Sequence, residues 1–266
     1  MLRDPRPNAE SPAPALDRGL RVLETLSERP NGCTFSELAD AIGIPRASLH
    51  RIIATLSDAG YVKLAPASKR YHLGIKVFAL GHAVFSGLPV LYMAKSELKA
   101  LREESGETCE VWIPDGLALV LAIVEQARAR LPQQADVGLR DFRNHSKAPG
   151  KVYLAFAGEE LLEGYLRHFE LTPFTLNTIT DVDRLQRELR SIREQGYAVD
   201  REENRPGLCR IAAPIFNKAG DAEAFLTIAG PAFELIPEKD SWYGQMLCTY
   251  AERISRQLGW NPQSPH

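Results

Sequence analysis

The sequence predicts a two-part α+β protein. A winged helix-turn-helix unit is expected over residues 13–74, a linker helix over 75–89, and an α+β domain built on an antiparallel sheet over 90–260. Three observations carry the prediction. Three helical apolar periodicities are crowded into residues 16–59. Two short alternating stretches follow at once, as the strands of a wing would. Beyond the break at Gly87-Leu88-Pro89, strand–turn–strand patterns share the chain with helices that stop at Gly158, Gly196 and Gly259.

Residues 1–12, rich in proline and charge with no apolar stretch, read as a disordered tail rather than a signal peptide. The first helix, 16–28, places Leu16, Leu20, Val22, Leu23 and Leu26 at the spacing of one buried face and stops at Arg29-Pro30-Asn31-Gly32. Thr34-Phe35-Ser36-Glu37 fits a capping box, in which Thr34 and Glu37 satisfy each other's orphan backbone donors. The second helix buries Leu38, Ala39 and Ile42 and ends in Gly43-Ile44-Pro45, a turn that opens the third. That third helix, 45–59, buries Leu49, Ile52, Ile53 and Leu56 and closes at Gly60. Tyr61–Leu64 and Lys69–Leu73 then form the hairpin of the wing.

The linker carries Ile75, Val77, Phe78, Leu80, Val84 and Phe85. Lying outside both compact domains, this apolar face needs a partner, most simply the same helix of a second chain, so a homodimer is expected. A helix at 90–105 precedes strands 108–113 and 117–124 joined by Asp115-Gly116. Further helices fall at 150–157, 159–168, 181–195 and 240–258, and strands at 197–200, 209–216 and 224–229, the last two linked by a polar turn at 217–221.

Composition narrows the function. The 266 residues carry 32 Lys+Arg and 34 Asp+Glu, a net charge of -2, which excludes a polycation that coats nucleic acid indiscriminately. Residues 42–74 nevertheless hold Arg46, Arg51, Lys63, Lys69 and Arg70 against Asp58 alone. That local excess lies where a duplex meets a helix-turn-helix, with the N-terminal end of the second helix of the motif in the major groove. Arg46, Ala47, Ser48, His50 and Arg51 occupy that end. An arginine there suits a guanine edge, Ala47 a thymine methyl, and Ser48 a base or phosphate. Lys63, Lys69 and Arg70 on the wing suit phosphates, which add affinity without sequence choice. With Thr34 and Ser36 at the start of the second helix, these are the expected contacts to double-stranded DNA.

Other chemistries lack their residues. The four cysteines, Cys33, Cys109, Cys209 and Cys248, are far apart with no C-x-x-C pair, so neither a disulfide framework nor a zinc knuckle is expected and a reducing compartment fits. The six histidines are scattered singly, against a metal site. No serine elbow, paired general acid or phosphate-binding glycine loop occurs, so neither catalysis nor a cofactor is expected. The longest apolar runs, such as Leu117–Val124, fall far short of the roughly 20 residues that cross a bilayer, and a cytoplasmic protein without a membrane partner is expected.

Gly196-Tyr197-Ala198-Val199-Asp200-Arg201-Glu202-Glu203-Asn204, Pro206-Gly207, Ile211-Ala212-Ala213-Pro214-Ile215-Phe216 and Gly230-Pro231-Ala232-Phe233 form a series of strings in the last third of the chain. Together they resemble the hallmark stretch of the IclR family of bacterial transcriptional regulators. Upstream, Leu16-Asp17-Arg18-Gly19-Leu20, Leu49-His50-Arg51, Gly60-Tyr61-Val62 and Tyr71-His72-Leu73-Gly74 look like that family's DNA-binding domain, and His145–Lys151 resembles its pocket loop. The likeness runs over residues 13–260. It implies a GAF-like effector domain, a small and frequently carboxylated ligand, and dimers often paired into tetramers. The family pocket maps onto Ala148, Gly150, Asp200, Thr227 and Ala229.

Three departures stand out: Arg210 where a cysteine is usual, Lys147 where a small hydroxyl residue is usual, and Ala229 where a serine is common. Strand alternation puts Arg210 and Cys209 on opposite faces, Arg210 inward. A buried guanidinium needs an acid or an anionic ligand. A carboxylate effector held by Arg210, with Lys147 or His145 assisting and Trp112 covering its carbon skeleton, stands beside the alternative that Arg210 pairs internally with Asp200 or Glu202. The functional expectation is a sequence-specific, ligand-responsive transcriptional regulator, activator or repressor. The rival is a metabolite-sensing module whose winged helix mediates protein contact rather than DNA binding, and a metabolite-hydrolysing enzyme carrying a DNA-binding domain comes third.

Overall fold

The computed structural model describes residues 11–127 and 136–262, so the tail expected at 1–12 lies outside them up to residue 10, as does His266. The described chain divides into two compact units, one ending at Gly87 and the other beginning at Leu88.

In the first unit α1 (Pro14–Ser27), α2 (Phe35–Ile42) and α3 (Arg46–Asp58) precede a hairpin of β1 (Val62–Ala65) and β2 (Arg70–Leu73). The predicted capping box forms: Thr34 Oγ1 accepts from the Glu37 amide at 3.3 Å, and Glu37 Oε2 accepts from the Thr34 amide at 2.8 Å. Gly43 ends α2 in the left-handed region, and Pro45 directs the chain into α3. Val22, Leu26, Leu38, Ile42, Leu49, Ile53 and Val62 make the core. The expected inward face of α1 is corrected, because Leu16 and Leu20 are exposed and Gly19, Val22 and Leu26 turn inward. Gly19 faces Ile52 of α3, where a Cβ would make ordinary contact at 3.9 Å. Gly74 passes so near Gly60 that a Cβ would lie 2.1 Å from the Gly60 carbonyl oxygen, which ties the exit of the wing to the end of α3. Cys33 bridges to Tyr71 as a third strand position beside the hairpin. Helix α4 (Lys76–Ser86) buries no residue, and Ile75, Phe78, Leu80 and Val84 are all exposed.

The second unit is layered, with helices on both faces of one six-stranded antiparallel sheet of order β5-β4-β3-β8-β7-β6. Its strands are β3 (Thr108–Asp115), β4 (Ala118–Glu125), β5 (Arg140–Asp141), β6 (Ala198–Arg201), β7 (Leu208–Phe216) and β8 (Ala222–Pro231). Helices α5 (Pro89–Ser105) and α9 (Asp240–Gln257) cover one face over Val111, Cys209, Ile211 and Ile228. Helices α6 (Ala148–Phe156), α7 (Glu159–His168) and α8 (Val182–Gln195) cover the other over Trp112, Ala198, Ala212 and Phe225. No single helix among the described residues is long and apolar enough to cross a membrane.

Candidate functional site

Two places carry polar chemistry that the fold alone does not require. The first is the outer face of α3. Burying Leu49 and Ile53 leaves Arg46, Ala47, His50 and Arg51 exposed and Ser48 half-buried. Neither the Arg46 nor the Arg51 side chain has a hydrogen bond or ion pair among the described residues, and only the Arg51 carbonyl is engaged by a side chain, the Thr55 hydroxyl at 3.0 Å. His50 lies beside the Phe35 ring at 6.2 Å between centroids. Ser36, Lys63 and Lys69 are exposed, and Thr34 is half-buried as the cap.

Arg70 is placed differently from its phosphate-contact expectation. Its guanidinium donates to the Asn31 carbonyl at 3.0 Å, to the Gly32 carbonyl at 3.0 and 3.2 Å, and to Glu37 at 2.8 Å. It therefore clamps the wing to the loop that opens α2. The capping hydrogen bond from Thr34, ahead of Arg70, holds the Glu37 carboxyl below the usual carboxylate range even against burial. Lys63→Ala is expected to lower the slope of log affinity against log salt by about 1, the signature of a lost phosphate contact, whereas Arg70→Ala leaves that slope within error. Fluorescence-anisotropy titration of labelled DNA over a salt series reads the difference.

The second place is the sheet face under α6. Directly opposed residues of antiparallel strands share a face, and the register aligns Asp200, Arg210, Ala229 and Thr108 in one row across β6, β7, β8 and β3. Ala198, Ala212, Thr227 and Glu110 form the next row, and Phe225 pairs with Trp112 in the row beyond. Arg210 points inward, away from Cys209, which packs with the α5–α9 layer. Only 8% of Arg210 is exposed, its Nη1 donates to Asp200 Oδ2 at 3.3 Å, and its Nε has no partner. The Thr227 hydroxyl, fully buried, also has none. Asp200 accepts the Glu203 amide at 2.8 Å on its other oxygen. Burial lifts its carboxyl above the ordinary range against the pull of Arg210 and Lys151.

Lys147, at the N-terminus of α6, is buried with its ammonium bonded to Asp141 and lying 5.2 Å from the centre of the Trp112 ring. Burial lowers its pKa to about 8, with Asp141 opposing the shift and Arg210 adding to it. Asp141 also takes the Arg143 fork at 2.6 and 2.8 Å. Burial alone would raise the Asp141 pKa, but Lys147 and Arg143 overcome it and hold the carboxyl well below its usual value. A carboxylate depressed on folding stabilises the protein above its unfolded pKa, near 4, and that contribution is lost as pH falls further. The melting temperature of the second unit is therefore expected to drop below pH 4, and Asp141→Asn is expected to flatten that drop in calorimetric scans.

His145 is fully buried, with both ring nitrogens engaged by the protein. Its Nε2 donates to the Thr172 carbonyl at 3.1 Å, so in the neutral ring Nδ1 is an acceptor 2.9 Å from the Tyr165 hydroxyl, whose single proton it shares with the Phe142 carbonyl, also at 2.9 Å. Burial holds its pKa down and keeps the ring in that neutral form. Ala148 and Gly150 serve packing: a Cβ on Gly150 would sit 2.3 Å from Asn144 Cα, so only glycine lets α6 start against the Asn144–Ser146 turn. Trp112 donates its indole N–H to Glu110 at 2.8 Å.

Sequence reasoning missed Glu110, Asp141, and Lys151 with its partners. Lys151 is fully buried and donates to Glu203 at 2.7 Å, the Val199 carbonyl at 2.7 Å and Glu188 at 3.0 Å. Glu110 had a readable signal, since an acid stands at an inward phase of the apolar run Thr108–Ile113. Among the described residues no group of three metal-ligating side chains converges.

Comparison with known proteins gives two family matches. The model described as "Bacterial transcriptional regulator IclR C-terminal" matches residues 82–256, and that described as "IclR helix-turn-helix domain" matches residues 15–66. The chain is similar to the DNA-binding transcriptional repressor YiaJ of Escherichia coli K12, 33% identical over 92% of this chain and 88% of YiaJ. It is similar to the crystal structure of Thermotoga maritima IclR, 32% identical with a TM-score of 0.77 over 92% of this chain and 98% of that one. An IclR homologue from Microbacterium hydrocarbonoxydans, crystallised with 4-hydroxybenzoate, shares the fold with a TM-score of 0.82 at 21% identity, over 92% of this chain and 98% of that one. The matched families and YiaJ are regulators of transcription, not enzymes.

Proposed function

The chain belongs to the IclR family of bacterial transcriptional regulators, and from that premise we propose that its operator binding is sequence-specific and controlled by a small carboxylated metabolite held over Arg210. The exposed basic face of α3 supports the DNA half of this reading, with Arg46, Ala47, Ser48, His50 and Arg51 toward the major groove and Lys63 and Lys69 toward phosphates. One observation carries the ligand half: a buried guanidinium whose Nε has no protein partner. Leaving such a donor unmatched costs roughly 1–3 kcal/mol, which a carboxylate forked across Nε and Nη2 would recover. The same fold in the Microbacterium protein accommodates 4-hydroxybenzoate, itself a carboxylate.

We divide the chain into DNA-binding residues 13–74, a linker over 75–89 and an effector domain over 90–260, working in the cytoplasm where the genome lies. The bare apolar face of α4 pairs with that of a second chain, giving two reading heads for two half-sites. The effector then acts by preferring one arrangement of the dimer, and effector and operator alter each other's affinity by the same factor.

Labelled DNA from upstream of the gene, titrated with protein at several salt concentrations and sized by chromatography, tests this reading. Binding should weaken steeply with salt and come from a dimer or a pair of dimers. A carboxylate that releases the DNA from the wild type should fail on Arg210→Met. Salt-independent binding by a stable monomer, or an unchanged response in the variant, overturns it.

A further inference from the structure

The buried sheet face that holds Arg210 carries, two strands away and one row along, a second polar group whose needs are opposite. Glu110 on β3 is 3% exposed, on the same sheet face as Arg210, and pairs in register with Thr227 on β8. Among the described residues its side chain takes a hydrogen bond only from the Trp112 indole, and no Lys, Arg or His is its ion-pair partner. A buried carboxylate with one neutral donor is under-satisfied, because it has about four acceptor sites and carries a full charge. Between the two ends stand the Thr227 hydroxyl, buried and without a partner, and the short side chains of Ala212 and Ala229. Ideal sheet geometry puts the Arg210 and Glu110 Cα atoms roughly 12 Å apart, a gap that their own side chains shorten to the length of a small molecule. The Arg210 end of this stretch of the face attracts an acceptor with negative charge. The middle and the far end attract a donor.

We propose that the effector is a short carboxylate carrying a hydrogen-bond donor, a hydroxyl or an ammonium, a few atoms from its carboxyl group. The carboxylate sits on the Nε edge of Arg210, and the donor on Thr227 and Glu110. This rests on the reading that Arg210 holds a carboxylate. It adds that the site selects against the oxo-acid of the same carbon skeleton, whose oxygen only accepts and would face the Glu110 carboxylate. A site built around unpaired polar groups rejects an analogue lacking the matching group far more strongly than an apolar pocket rejects a missing methylene.

Calorimetric titration of the full-length protein with matched sets tests it: lactate, alanine, pyruvate and propionate, and the corresponding four-carbon and five-carbon acids. At the chain length that binds, the hydroxy- or amino-acid should bind at least tenfold tighter than the oxo-acid and the unsubstituted acid, and the tighter of the two tells hydroxyl from ammonium. Glu110→Gln, nearly isosteric, should erase the preference over the oxo-acid, because an amide can also donate. Thr227→Val should lower affinity for the donor-bearing acid and leave the unsubstituted acid unchanged. Equal affinity for the oxo- and hydroxy-acids, or a preference that survives Glu110→Gln, overturns this inference while the carboxylate reading stands. No acid binding in wild type and Arg210→Met alike overturns both.

Discussion

Lys151→Met is expected to destabilise the effector domain by about 3–5 kcal/mol, a large share of the stability of an ordinary domain. The side chains are close in volume, so the loss is electrostatic rather than a cavity. Lys151 makes three hydrogen bonds in full burial, and removing its charge leaves the Glu203 carboxyl buried without its cation and the Val199 carbonyl unmatched. Glu188, partly open to solvent, can turn to water. The pH dependence has a definite sign. Burial already raises the Glu203 pKa against the pull of Lys151, and without that lysine it rises further. The folded variant then holds a proton that the unfolded chain releases, so its deficit is greatest near neutral pH and shrinks as pH falls toward 5. Denaturant melts of the full chain, read for the transition of this domain, measure both effects. Glu203→Gln added to Lys151→Met should restore part of the loss, because both charges are then gone. A single variant within 1 kcal/mol of the wild type would mean that the buried lysine carries no net burden.

Arg51→Ala and Arg46→Ala, each expected to cost about 1–3 kcal/mol of operator affinity, should together weaken binding by between about thirtyfold and about twenty-thousandfold. Melting temperatures should stay within a degree of the wild type, since neither arginine side chain bonds to the rest of the chain among the described residues. The two kinds of contact separate in the same titrations. An arginine that reads a base loses discrimination at one operator position, and one that holds a phosphate loses affinity on every sequence and lowers the salt slope by about 1. Unchanged operator binding in the double variant would remove α3 as the reading element.

Local chemistry was legible wherever it repeats at short range. The Thr34–Glu37 box lies within one helical turn, so four residues specify it. Arg210 was read as inward from its strand phase relative to Cys209, because the alternation of a strand needs only the neighbouring residue. The arginine's partner, left open between ligand, Asp200 and Glu202, needed the fold. Asp200 lies opposite in register and takes one hydrogen bond, while Glu202 turns away to the Gly207 amide. Arg70 shows the limit from the other side: 33 residues separate it from Glu37, and nothing in the wing pattern foretells that pair. Strand β5 is two residues long and carries no periodicity to read, yet it delivers Asp141 to Lys147.

By itself the sequence determined the helices and the longer strands, which side chains of each face inward at the site, and the family, because all of these are properties of a chain and its immediate neighbours. Tertiary structure alone decided the pairings: that Lys151 reaches Glu203, that His145 is held by Tyr165 and Thr172, and that Arg210, Thr227 and Glu110 share one buried sheet face in adjacent rows. Strand order in a sheet is not written in the periodicity of any one strand. Charges brought together only by that order acquire their partners, and their shifted proton affinities, when the sheet has closed and water has left.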